Sequence, residues 1–426
     1  MSSDEDARML EPFEVFYDNL AKATHNDYKT KQHSKVKDST SFEAQRHHLL
    51  SLYDNVMVSH SFVDTGGQVF DCVPVKEQPA LKRSGRPLAS PPVLPRCASD
   101  PVPSNIPSLA PLRPGRADRY GNAMTCPEGS VPLRRVTLGE MTKFEDLEHF
   151  YKKNPRSNRK RSSQLFTRPD APSSTEPPHE YAHAYQRVNN IGGHSFLNVW
   201  DPTIVDPQVF SLSQQWYVAT GSAGLLQTAE VGWQVFPQKY GHSKPVLFTY
   251  WTADGYTSSG SYSADAGDFV QYSPTCAIGV ALEQVSALGG EQAELELSFL
   301  LSEGNWWLYV NGTDVVNAVG YYPTTLYRNG PMTTGATEID YGGETVGAGS
   351  YPAMGSGNFA AQGSGQAAYQ RNIYYYPSGG SIQDADLLPS QDWPDSYTII
   401  NQQSADWGKY FFFGGPGTVA RPTGVT

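Results

Sequence analysis

The sequence predicts an all-β catalytic-size domain, an antiparallel sandwich or jelly roll, preceded by a small α+β segment and a proline-rich linker. Three observations carry this. From about residue 179, short alternating apolar–polar runs recur with Gly, Pro, Asn or Asp between them, the texture of regularly spaced strands and turns. All eight Trp, 20 of the 25 Tyr and 32 of the 39 Gly fall in residues 178–426, which favours sheets and tight turns over helical bundles. Charge divides at the same place: residues 1–177 carry 25 Lys+Arg against 22 Asp+Glu, and residues 178–426 carry 7 against 21.

Taken in order, the apolar spacing of Phe13, Phe16 and Leu20, and again of residues 47–53, predicts helices within residues 1–58. Residues 61–75 read as a hairpin turning at Thr65-Gly66-Gly67. Ten prolines in the 36 residues from Pro79 to Pro114 make residues 79–118 an extended or disordered insert within a unit spanning 59–153. A short ordered island at 126–135 (CPEGSVPLRR) and helical spacing over 138–151 complete that unit. Residues 154–178 are a polar linker whose Arg159-Lys160-Arg161 run suits a processing protease. Strands are expected at 210–218, 227–236, 245–252, 268–272, 294–301, 306–310 and 368–376, within a domain spanning 179–420.

Several function classes drop out. No run of 18 apolar residues exists to cross a membrane as a helix. The start, MSSDEDARML, shows no apolar stretch of the kind a secretory signal needs, so the protein is expected to be either cytosolic or secreted through a leader this start does not show. The second part holds only Lys239, Lys244 and Lys409 as lysines, too few to neutralise a nucleic-acid backbone. Four cysteines exclude a dense disulfide framework, although one pair among Cys72, Cys97 and Cys126 is possible.

Two constellations could carry chemistry. His179-Glu180-Tyr181-Ala182-His183 matches HExxH, which on a helix binds zinc through both histidines with the Glu as base. Flanked by Pro177-Pro178 and by Asn189-Asn190-Ile191-Gly192-Gly193, the same residues read better as an extended strand, and no metal is expected. The second is a pair of carboxylates. Strand alternation through 228–235 puts Glu230, Gly232 and Gln234 on one face and Val231, Trp233 and Val235 on the core face. Glu344 follows Gly342-Gly343, which permit close backbone approach. Two facing carboxylates can share a proton and supply an acid and a base to activate water.

The residues QTAEVGWQVFP (227–237), LFTYWTADGY (247–256), GNWWL (304–308), GGE (342–344), MGSG (354–357) and YFFFGGPG (410–417) resemble the neprosin family of glutamic endopeptidases. Asp71-Cys72-Val73-Pro74, Gln78-Pro79-Ala80 and 126–135 are similar to that family's activation peptide. The resemblance implies a secreted zymogen whose mature part is a concanavalin-like two-sheet β-sandwich. It implies Glu230 and Glu344 as the catalytic pair, with peptide hydrolysis at acid pH, after proline, by an activated water and without a cofactor. Partners would be proline-containing peptides or proteins and the chain's own propeptide. Basic propeptide segments would dock on the acidic domain and let go on acidification. Here EVGW replaces EAGW, and the cysteine pair usual at 260–267 is absent, leaving Cys276 as a lone, buried thiol.

Around that pair, Gln234 is expected to position or polarise, and Tyr250, Trp251, Tyr341 and Trp306 to wall a pocket for proline. Asn311-Gly312-Thr313 is a glycosylation sequon. Two other readings compete: a carbohydrate- or cell-wall-binding sandwich using the same aromatics, and a zinc peptidase using His179, Glu180 and His183.

Overall fold

The computed structural model describes residues 10–94, 116–153, 179–221 and 225–418. The tribasic run at 159–161 and Cys97 lie outside the described residues. The N-terminal segment comprises α1 (Phe13–Lys22), α2 (His25–Tyr28), α3 (Ser39–Leu52), β1 (His60–Val63), β2 (Val69–Pro74), α4 (Pro79–Ser84), β3 (Ser130–Arg134), α5 (Leu138–Met141) and α6 (Leu147–Tyr151). Three of its helices, α3, α5 and α6, begin at side-chain caps: Asp38 accepts from the Ser41 N–H at 2.7 Å, Thr137 and Glu140 form a capping box, and Asp146 accepts from the His149 N–H at 2.9 Å. The strands form one antiparallel sheet in the order β1-β2-β3, and a Cys72–Cys126 disulfide ties β2 to the chain leading into β3.

The start of the proline-rich insert is ordered, unlike a free linker. Pro79 takes the first turn of α4, where its missing N–H costs nothing, and Gly85 ends the helix at φ 61°. Residues 85–94 then run without helix or strand over the β domain.

That domain contains β4 (His179–Gln186), β5 (Asn190–Asn198), β6 (Gln208–Thr220), β7 (Leu226–Val235), α7 (Pro237–Tyr240), β8 (Val246–Thr252), β9 (Ser261–Tyr262) and β10 (Val270–Gln271). It continues with β11 (Glu294–Ser302), β12 (Asn305–Val310), β13 (Ala318–Pro323), β14 (Glu338–Gly347), β15 (Ala368–Pro377), β16 (Gln383–Asp384), β17 (Leu388–Gln391), β18 (Thr398–Ser404) and β19 (Gly408–Gly414). Seven strands form one sheet, β17-β4-β14-β6-β7-β8-β9. The other is nine-stranded, with the path β10-β13-β12-β11-β5-β15-β19-β18 and β16 paired to β15. All the pairings are antiparallel, so the domain is the two-sheet β-sandwich that the alternation predicts.

Alternation sorts each strand between two environments. On β7, Val231, Trp233 and Val235 join Tyr217, Ala219, Leu297, Phe299, Trp306 and Phe413 in the core between the sheets. On β6, Phe210, Leu212, Trp216 and Val218 point the other way, into a second core shared with Phe13, Phe42, Leu49, Met141, Phe144 and Phe150 of the N-terminal segment. The outer face of the seven-stranded sheet is therefore not a solvent face in the full chain. It is roofed by the N-terminal helices.

Candidate active site

Glu230 on β7 and Glu344 on β14 both project from that roofed face, and both are fully buried. β6 runs between them. Its Gln214 pairs with Gly342 on one side and Gly232 on the other, so a row without flanking side chains separates the two acids. A Cβ at Gly232 would meet the Ser213 carbonyl oxygen at 2.0 Å, and one at Gly342 would meet the Ala182 oxygen at 2.5 Å. Larger residues would push these strands apart.

The space between the acids is filled by Lys153, the last described residue of the N-terminal segment. Its Nζ lies 2.7 Å from Glu230 Oε2 and 2.7 Å from Glu344 Oε2, which holds those oxygens at most twice that distance apart. Its side chain is 5% exposed. Helix α6 aims it: Phe150 packs against Phe144 and under the Lys239 ammonium, 3.9 Å from the ring centroid, while the Tyr250 hydroxyl donates to the Tyr151 carbonyl at 3.2 Å. Burial alone would push the Lys153 ammonium toward neutrality, but the two carboxylates outweigh it and raise its pKa. Burial likewise pushes Glu344 up; the Lys153 charge and then His179 overcome this and hold it at about 2.

The acids differ in their remaining partners. Glu230 accepts from Gln214 Nε2 at 2.9 Å, Thr228 Oγ1 at 2.8 Å and the Tyr256 hydroxyl at 2.6 Å. Glu344 shares a short hydrogen bond with His179 Nδ1 and lies 3.5 Å from the Tyr181 hydroxyl. Behind the trough, on the core face of β6, Gln215 donates to Ser195 at 2.8 Å and Gln370 donates to Ser213 at 3.0 Å, so these two amides and hydroxyls beneath the site are paired.

Several expectations change. HExxH lies on β4, an extended strand, so His179 and Glu180 point to opposite faces. His179 turns to Glu344, and His183 places Nδ1 2.8 Å from both oxygens of Asp340. Among the described residues no cluster of three His, Cys, Asp or Glu side chains could hold a metal. Trp251, Trp306 and Tyr341 do not wall the trough. Trp251 and Tyr341 sit one residue out of phase with the site face, Trp306 stands on β12 of the other sheet, and all three belong to the inter-sheet core, where Trp306 stacks near Tyr217 and donates to the Met332 carbonyl at 2.8 Å. Tyr250 and Gln234 are on the site face, but Gln234 donates to the Tyr262 hydroxyl at 3.2 Å while Gln214 is the amide on Glu230. Asn311 occupies a turn at φ 61° after β12, its N–H bonded to the Glu296 carbonyl. Cys276 is the free thiol among the described residues, its pKa pushed by burial to about 12.

Lys153, Gln214, Tyr256 and His179 as a Glu344 partner were not singled out from sequence. The signal for Gln214 is one amide in the row Phe210, Leu212, Gln214, Trp216, Val218. Lys153 carries no comparable local signal, because its partners lie 77 and 191 positions further on.

Two solved structures of scytalido-glutamic peptidase, each with a transition state analog, are similar in part. One is 10% identical over 57% of this chain and 100% of that chain with a TM-score of 0.32, the other 8% identical over the same shares with a TM-score of 0.29. Residues 207–416, which carry both glutamates and Gln214, match the family model Neprosin. The part of the chain that holds the two glutamates thus belongs to the neprosin family.

Proposed function

We propose that the protein is the zymogen of a secreted endopeptidase that hydrolyses peptide bonds, preferentially after proline, at acid pH. The observation that supports this most is Lys153 lodged between Glu230 and Glu344. An ammonium at hydrogen-bonding distance from both acids stands where a reacting water and a scissile peptide would have to be. While it stays, neither carboxylate is available. The N-terminal segment is then a prosegment, and removal of residues up to the 154–178 linker exposes the trough.

In the open site, Glu230 accepts three hydrogen bonds from neutral donors, the partner count of a carboxylate, and serves as the base that takes a proton from water. The hydroxide equivalent attacks the scissile carbonyl carbon. Glu344, released from Lys153 and next to His179, takes up a proton at acid pH and delivers it to the leaving amine as the C–N bond breaks. Gln214 Nε2, in the trough between the acids, orients Glu230. The post-proline preference rests on the family resemblance. Secretion fits the Cys72–Cys126 disulfide, which requires an oxidising compartment.

The test is cleavage of a proline-containing peptide by acid-treated full chain, comparing wild type with Glu230→Gln and Glu344→Gln, each with and without a chelator. Chelator-resistant activity that disappears in both variants is expected. Activity surviving either substitution removes that glutamate from the mechanism, and loss to chelator returns the zinc reading.

A further inference from the structure

We propose that the outer face of the nine-stranded sheet is a second peptide-binding site, on the opposite side of the sandwich from the glutamate trough. It takes extended proline-rich polypeptide, and residues 85–94 of this chain occupy it before processing. On β12, Trp306 and Leu308 point into the inter-sheet core, so Trp307 and Tyr309 point outward. There they meet Tyr321, Tyr374 and Tyr376 from β13 and β15, forming an aromatic row. Trp307 lies 4.5 Å from Tyr321 and 5.8 Å from Tyr272 between ring centroids.

Sheet faces that look outward from a sandwich are ordinarily polar. This one is aromatic and buried: Trp307 is 1% exposed and Tyr309 0%. What covers it is the prosegment, through Ala80 and Leu81 of α4 and then Leu94. The covering segment is Gly85-Arg86-Pro87-Leu88-Ala89-Ser90-Pro91-Pro92-Val93-Leu94. Its prolines fix φ at three positions and bias the residues before them to extended backbone. Its polar contacts run through the main chain: the Tyr309 hydroxyl donates to the Pro92 carbonyl at 2.5 Å, and the Ala89 N–H donates to the Tyr321 hydroxyl at 3.1 Å. Aromatic rings with hydroxyls aimed at backbone groups of a stiff, proline-rich segment are the physical basis of proline-rich peptide recognition, because little chain entropy is lost on binding. The strap lies before the linker in sequence, so it leaves with the prosegment and uncovers an apolar patch that needs a new occupant. Bound at such a site, a proline-rich protein would be held near a catalytic trough on the same small domain. That consequence rests on the post-proline reading, whereas the site itself does not.

The test uses the full chain, in which Lys153 still fills the trough and cleavage does not intervene. Residues 85–94 are replaced by a Gly-Ser sequence of equal length, and a synthetic GRPLASPPVL peptide is titrated in, followed by tryptophan fluorescence and calorimetry. Saturable one-to-one binding is expected. The unmodified chain should bind at least about tenfold more weakly, because its own strap competes at high effective concentration. The same peptide with its three prolines changed to Ala should also bind the strap-replaced chain about tenfold more weakly. Tyr309→Phe in the strap-replaced chain, which removes one hydroxyl and keeps the ring, should weaken binding about fivefold. A second variant covers the case of misfolding: Pro87→Ala, Pro91→Ala and Pro92→Ala together in the otherwise intact chain should let added peptide compete better than in wild type. The proposal is overturned by a folded strap-replaced chain that shows no saturation at about 1 mM peptide, by equal binding of the proline-free peptide, or by a cell-wall oligosaccharide that displaces the peptide.

Discussion

Replacing Lys153 with methionine keeps the length of the side chain and removes its charge. The structure allows the effect to be estimated in two ways. Deleting one partner of a buried ion pair costs about 3–5 kcal/mol, and here the deleted ammonium serves two fully buried carboxylates, each at 2.7 Å. Independently, Lys153 and then His179 hold Glu344 at about 2 against an ordinary value of 4.5, a net displacement of about 3 kcal/mol that the two partners supply together over the cost of burial. Because the pKa is depressed, this attraction is complete above the ordinary value and is lost as pH falls from about 4.5 toward 2. Both routes shift the equilibrium between docked and undocked prosegment by roughly a hundredfold or more. The assay is hydrolysis of a fluorogenic proline-containing peptide at pH 5.5, without acid pre-treatment, with the chain verified as uncleaved on a gel. Wild type should be silent, Lys153→Arg should stay largely latent, and Lys153→Met should turn over. If folded Lys153→Met is as silent as wild type and both activate at the same acid midpoint, the lysine does not maintain latency and the reasoning fails.

Three further outcomes follow from the same geometry. Gln214→Leu removes the amide on Glu230 Oε2 and should lower kcat of the processed enzyme about 10²-fold while changing KM little; steady-state kinetics decide, and an unchanged kcat would exclude Gln214 from the trough's chemistry. Arg134 binds Asp265 at 2.9 Å with both side chains buried across the prosegment interface, so Arg134→Met should destabilise the full chain by about 3–5 kcal/mol, read as a lower urea midpoint; an unchanged midpoint would show that Lys239, 2.8 Å from the same carboxylate, suffices. Reducing the Cys72–Cys126 bridge, whose cysteines are 54 positions apart, frees a long loop in the unfolded prosegment and should cost about 4 kcal/mol. Faster proteolytic nicking of the prosegment under reductant would show it, and unchanged nicking would mean that packing alone holds this region.

Much of the β domain was legible because strand alternation is a local property. The period-two pattern at 228–235 put Glu230 opposite Trp233, and the structure has Glu230 in the trough and Trp233 in the core. The glycines at 232 and 342–343 mark room and close approach, and Gly232 and Gly342 flank Gln214. Where alternation was not applied, the reading missed. Trp251, Trp306 and Tyr341 share aromatic character, yet Trp251 and Tyr341 lie one residue out of phase with the site face and Trp306 belongs to the opposite sheet. Residues 79–94 were read from proline content as linker, but apolar contacts from Ala80, Leu81 and Leu94 fasten them to the sheet.

The sequence by itself determined which residues form strands, which face each strand buries, and which carboxylates can meet. These follow from period, turn residues and the chemistry of acids. Tertiary structure alone decided that the glutamate face is roofed by helices from residues 13–151, that Lys153 reaches two acids 77 and 191 positions away, and that an aromatic row on the far sheet lies under a proline-rich strap. Such contacts join segments whose local patterns are complete without one another. Ion pairing and burial across those distances are set by the packed whole and leave no periodic trace in the chain.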